Sequence, residues 1–158
     1  MAISLDLIDV RLLQELQTDA DRPNVELARI VGLSPAATLH RVRRLKESGI
    51  VRGIQARLDS AEAGLPLQVY VAVTLQRHDD TAHRRFVETV RAMPEVISAD
   101  WVTGETDAML LVVAREVPQL QRVLVRLSTR GGAARVMTLL RLEELKPASP
   151  LPLEPTGS

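Results

Sequence analysis

The sequence predicts an α+β protein in two parts, a small helical domain and then an alternation of strands and helices. Three observations point there. Apolar residues in the first third recur at helical spacing and are punctuated by Gly and Pro. From residue 68 the period becomes two, the mark of a half-buried strand. The charge is segregated, although it sums to zero over the 158 residues. Up to residue 28 the chain holds Asp6, Asp9, Glu15, Asp19, Asp21 and Glu26 against Arg11 and Arg22. Residues 29–57 hold Arg29, Arg41, Arg43, Arg44, Lys46, Arg52 and Arg57 against Glu47 alone. An acidic opening followed by a basic segment suits a chain that turns one element toward a polyanion.

The first helix is expected to start at Asp6, with Asp9 in its first turn and Leu5, Ile8, Leu12 and Leu16 on one face. TDADRPN breaks it, and Asn24 is a suitable N-cap for a short second helix with Leu27, Ala28 and Val31 inward. Gly32 ends that helix, and Ser34 with Pro35 opens a third almost at once. Leu39, Val42 and Leu45 are its expected buried stripe, closed by Gly49. Two helices joined by so short a Gly turn are a helix-turn-helix over residues 1–49. IVRGIQARLD reads as strand, turn and strand, so residues 50–66 are taken as wing and linker.

In residues 67–146, Val69, Val71, Val73 and Leu75 alternate along the first strand. Asp79 or Asp80 caps a helix to Met93 with Ala82, Phe86, Val90 and Met93 inward. Strands over 95–103 and 107–115 flank a tight turn at Gly104-Glu105-Thr106. Pro118 opens a helix burying Leu120, Val123, Leu124 and Leu127, and a last strand covers 135–145. The order βαββαβ is the ferredoxin-like unit. Residues 147–158 are a Pro-rich tail whose end is expected to lack fixed structure.

Composition excludes several classes. With no Cys there are no disulfides or thiolate metal sites. His40, His78 and His83 share no metal-ligand spacing, so no metal and no cofactor are expected, and His78 and His83 read as solvated. The scattered carboxylates give no catalytic pair. The start resembles no signal peptide and no apolar run is long enough to span a bilayer, so a cytoplasmic protein without a membrane partner is expected.

The third helix is the most informative element. Ala37, His40, Arg41 and Arg44 share a face, and Ala36 and Ala37 are small enough to let the helix backbone enter a major groove about 12 Å wide. Ser34, Ala36, Ala37, His40, Arg41, Arg43 and Arg44, with Arg52 of the wing, are therefore the expected contacts to double-stranded DNA.

The stretch VELARIVGLSPAATLHRVRRLKESGIVRG, preceded by LDLIDVRLLQELQTDADR, resembles the DNA-binding part of the Lrp/AsnC, or feast/famine, regulators. PEVISADWVTGETDAMLLVV and LEELKPASPLPL resemble that family's regulatory domain, so the likeness runs from Leu5 to Leu153. It implies a transcription regulator whose regulatory domains pair through their sheets into a homodimer, with dimers assembling further. It also implies a small effector, usually an amino acid, at Gly104, Glu105, Thr106, Asp107 and Ala108, with Thr138 of the last strand facing it. The chain departs from the family at Thr106 and Ala108, where an aromatic is common, at Arg130-Gly131-Gly132-Ala133, and at Val136, where the family has a further Thr. Two other readings stay open: an architectural DNA-binding protein without effector, and an enzyme resembling the sirohaem decarboxylases.

Overall fold

The structure, a computed structural model, describes residues 4–155 and divides into two compact units. One takes in the chain up to Ala56 together with the segment from Lys146 on, and the other runs from Arg57 to Leu145.

Among the described residues the first unit has three helices, α1 (Leu7–Thr18), α2 (Asn24–Val31) and α3 (Pro35–Glu47). Asp6 caps α1 by accepting the Asp9 N–H at 2.8 Å. Leu5, Val10, Leu12, Leu13, Leu27, Val42 and Leu45 form the core, with Ile8 and Leu16 partly buried against it. Gly32 ends α2 at φ +68°, a left-handed conformation that costs glycine nothing and lets α3 begin at once. Three expectations need correction here. Pro23, not Asn24, stands at the cap of α2; Asn24 is its first residue and donates its side-chain N–H to the Pro35 carbonyl at 2.8 Å. Thr38, not Leu39, completes the buried stripe of α3, because the spacing 38, 42, 45 follows the core and the Thr38 hydroxyl is satisfied by the Ser34 carbonyl at 3.0 Å. Leu39 is 40 % exposed. Residues 50–59 form no strand, so the wing hairpin expected there is not built.

The tail is the other surprise. Gln17 grips the backbone of Leu151, its Oε1 accepting the Leu151 N–H at 2.6 Å and its Nε2 donating to the Leu151 carbonyl. Leu153 packs against the helical core. Residues 156–158, where the end of the tail was expected to lack structure, lie outside the described residues.

The second unit is β1 (Leu67–Leu75), α4 (Asp80–Arg91), β2 (Val96–Trp101), β3 (Ala108–Ala114), α5 (Val117–Thr129) and β4 (Ala133–Leu140). The sheet runs β2-β3-β1-β4 with every pair antiparallel, the ferredoxin-like arrangement. The capping choice falls on Asp79, which accepts the Ala82 N–H. The last strand is shorter at its far end than expected, stopping at Leu140. Alternation puts Val69, Val71, Val73, Leu75, Leu110 and Val112 on one face, where Phe86, Val90, Met93, Val123 and Leu127 of the helices cover them. The opposite face carries Tyr70, Met109, Leu111, Met137 and Leu139, exposed or half-buried, with Ala72 buried between Met109 and Met137, and the core that α4 and α5 close lies on the other face.

Candidate nucleic-acid interface and sensing turn

Ser34 fixes the start of α3, its side chain accepting the Ala37 N–H at 3.2 Å while Pro35 supplies the first helical φ. With Thr38, Val42 and Leu45 inward, the helical period turns Ala36, His40, Arg43 and Glu47 outward. His40 and Arg43 are exposed and make no hydrogen bond or ion pair among the described residues. Arg52 is exposed on the extended segment after α3.

Arg41 and Arg44 are placed differently. The Arg41 Nη1 donates to Asp6 Oδ2 at 2.6 Å and to Asp9 Oδ1 at 2.9 Å, and Arg44 Nη2 pairs with Asp9 Oδ2. The Asp9 side chain is 2 % exposed, the Arg41 side chain 27 % and the Arg44 side chain 45 %. The Asp9 N–H and the Arg41 guanidinium hold the Asp6 carboxyl below the usual carboxylate range, and Asp6 and Asp9 raise Arg41. The shared face expected for Ala37, His40, Arg41 and Arg44 is thus divided, with both arginines turned toward α1. Asp9 was the legible signal. It falls on the apolar stripe of α1, four residues after Leu5 and three before Leu12, where an unpartnered carboxylate would be costly.

The turn Gly104–Asp107, expected to sense an effector, joins β2 to β3. Gly104 sits at φ +121°, a region side chains avoid. Asp107 ties the turn to the end of β1. Its N–H donates to the Val73 carbonyl, its carbonyl accepts the Val102 N–H, and its Oδ2 accepts the Leu75 N–H at 2.7 Å. His78 Nε2 lies 3.1 Å from Asp107 Oδ1. The Leu75 N–H first and His78 second hold the Asp107 carboxyl below its ordinary range. The N–H groups of Gly104, Glu105 and Thr106 have no partner among the described residues. Ala108 is 1 % exposed, packed in the core opposite Val73. Thr138 stands exposed on β4, across β1 from the turn's own strands. His78 is exposed as expected, and its ring also meets Asp107; His83, expected to be solvated too, is half-buried against Trp101, at 5.1 Å between ring centroids. Trp101 packs on Phe86 as well. Sequence spacing gave no hint of the His78–Asp107 pair, which exists only because β1 and β3 are neighbours.

Residues 68–151 match the family described as the Lrp/AsnC ligand binding domain, and residues 5–52 match a winged helix-turn-helix DNA-binding family. The chain belongs to the Lrp/AsnC family. It is 38 % identical over 95 % of its length, and 88 % of the relative's, to the HTH-type transcriptional regulator AldR of Mycolicibacterium smegmatis. The leucine-responsive regulatory protein of Rhizobium meliloti is 35 % identical over 92 % of this chain and 94 % of its own. A transcriptional regulator from Neisseria meningitidis, solved as a complex with L-Met, superposes with a TM-score of 0.88 at 35 % identity, covering 94 % of this chain and 97 % of that one. This Lrp/AsnC protein is accordingly a DNA-binding transcription regulator that carries a ligand-binding domain. Among the described residues no helix is long and apolar enough to cross a membrane.

Proposed function

We propose that this regulator reads duplex DNA with the outward face of α3 and senses an amino acid at the Gly104–Asp107 turn. The unpaired N–H groups of Gly104, Glu105 and Thr106 beside the Asp107 carboxylate carry the sensing half. Backbone donors around a turn bind a carboxylate, and a fixed carboxylate next to them binds an ammonium, so the pair fits a zwitterion. The L-Met in the Neisseria relative supports the choice of class. Asp107 keeps its brace to Leu75 through Oδ2, which leaves Oδ1 and the neighbouring His78 as the adjustable part. Thr138 and the backbone of Ala108 complete the assignment to the sensing region.

On the DNA side, Ala36 lets the helix approach, His40 and Arg43 reach base edges, and Ser34, Ala37 and Arg52 lie along the phosphates. Arg41 and Arg44 flank this face, held by α1. The protein acts by binding and catalyses no reaction. The apolar sheet face pairs with a second copy, giving a dimer with two recognition helices, and dimers assemble further.

A thermal-shift screen of the amino acids tests the sensing half, since a ligand at about 100 times its Kd stabilises the native state by about 2.7 kcal/mol. Calorimetry on the parent and Asp107→Ala follows with whichever amino acid scores. Lower affinity in the variant is expected. Equal affinity would remove Asp107 from the site, and a parent that binds none of them would favour an architectural DNA-binding protein without effector.

A further inference from the structure

We propose that Asp9, with Asp6, is a specificity-determining leash: it holds Arg41 and Arg44 against α1 and so withholds their charge from DNA phosphates. The inference rests on the reading that α3 is the element facing DNA. The three partners of Asp9 identify its role. Its side chain is 2 % exposed, in a position of α1 where packing alone favours an apolar residue. Asp9 closes a capping box with Asp6, but that accounts for little of its burial, because Asp6 makes the short bond at 2.8 Å while the return bond from the Asp6 N–H to Asp9 is a weak 3.4 Å. What does account for it are its ion pairs, one oxygen to Arg41 at 2.9 Å and the other to Arg44.

The electrostatic consequence is direct. Two carboxylates and two guanidiniums sum to no net charge, so this flank of α3 presents no surplus cation. Affinity for the phosphate backbone grows with each cation that neutralises a phosphate and releases its counterion, whatever the base sequence. Two freed arginines would therefore tighten binding to every site equally. Discrimination is a difference between affinities, and it improves when the sequence-independent part is held down. The leash leaves unpartnered His40 and Arg43, which face outward, to supply the part that depends on sequence.

The test measures binding of the full chain, Asp9→Asn and Asp6→Asn to a fluorescent duplex of random sequence across a salt titration. Asp9→Asn is expected to steepen the log–log slope by about 0.9 for each arginine released, and to tighten binding on the order of tenfold per arginine near 0.1 M salt. Asp6→Asn is expected to show a smaller change of the same sign. Asn caps helices as well as Asp does, so this variant decides the matter if Asp9→Asn loses its helical circular dichroism. Folded variants with equal or shallower slopes overturn the leash and make the carboxylates supports for arginines that already touch phosphate. A parent whose affinity for duplex does not depend on salt would instead strike the DNA-facing reading of α3, and the leash with it.

Discussion

Asp9 and Thr38 are both polar side chains on apolar stripes, and each is admitted to the core because its partner is fixed by the fold. For Thr38 the partner is local, the Ser34 carbonyl one turn back; for Asp9 it is a pair of arginines more than thirty residues on. His40 and Arg43, by contrast, make no hydrogen bond or ion pair among the described residues. Changing either to Ala is expected to reduce discrimination between the operator and a single-base variant by about 1–3 kcal/mol, read from competition binding. Asp107 leads to a pH prediction. Its carboxyl is lowered in the folded state, so its contribution to stability is present above the unfolded value of 3.8 and is lost as pH falls through the lower folded value. The stability difference between the parent and Asp107→Asn, measured by urea unfolding, should therefore be clear near about pH 7 and shrink below about pH 3. A difference that persists undiminished in acid would show that the ionised carboxylate is not what braces the turn.

At the scale of elements, α3 depends on a narrow stripe. Leu45 is fully buried and helps close a small core, so Leu45→Ala should cost about 2–5 kcal/mol, seen as a lower unfolding midpoint and weaker DNA binding at elevated temperature. Leu39 is 40 % exposed, and Leu39→Ala should leave stability nearly unchanged. The pair measures which residue belongs to the stripe. The sheet supplies a second contrast. Its helix-covered face holds Val69, Val71 and Val73, each no more than 1 % exposed, while Tyr70 and Leu139, paired in register on the other face, are 40 % and 46 % exposed. Antiparallel sheets can leave one face to water, but such faces are then polar. This one is not.

For the whole molecule, that apolar face is where a second copy is expected. Tyr70→Glu together with Leu139→Glu should convert the dimer to monomer by light scattering at micromolar concentration, with far-ultraviolet circular dichroism unchanged. A wild-type monomer under the same conditions would remove the basis for a two-fold operator, whose half-sites are expected about 34 Å, or a multiple of it, apart. The tail carries a further expectation at this scale. Because the segment from Lys146 on belongs with the helical unit, the chain passes between the two units twice, at Ala56 and at Leu145. Gln17→Ala, which removes the grip on Leu151, should make the tail more susceptible to protease while leaving the second unit's unfolding unchanged.

The sequence by itself determined the two-part plan, because period, caps and turns are local: Asp6, Ser34-Pro35, Gly32 and the alternation from Val69 to Leu75 act within a few residues of themselves. It also placed the third helix and the Gly104–Asp107 turn. What it misjudged was orientation and partnership. Thr38 and Leu39 are neighbours, and which one enters the core depends on how α3 rolls against α1 and α2. The segment after Gly49 alternates well enough for a hairpin, yet strands need partners and the fold gives residues 50–59 none. Arg41 and Arg44 read as contacts to DNA because the basic segment around them holds no acid except Glu47, and their actual partners stand at Asp6 and Asp9. Only tertiary packing brings such charges together, since pairs so far apart in the chain have no period for a sequence pattern to reveal.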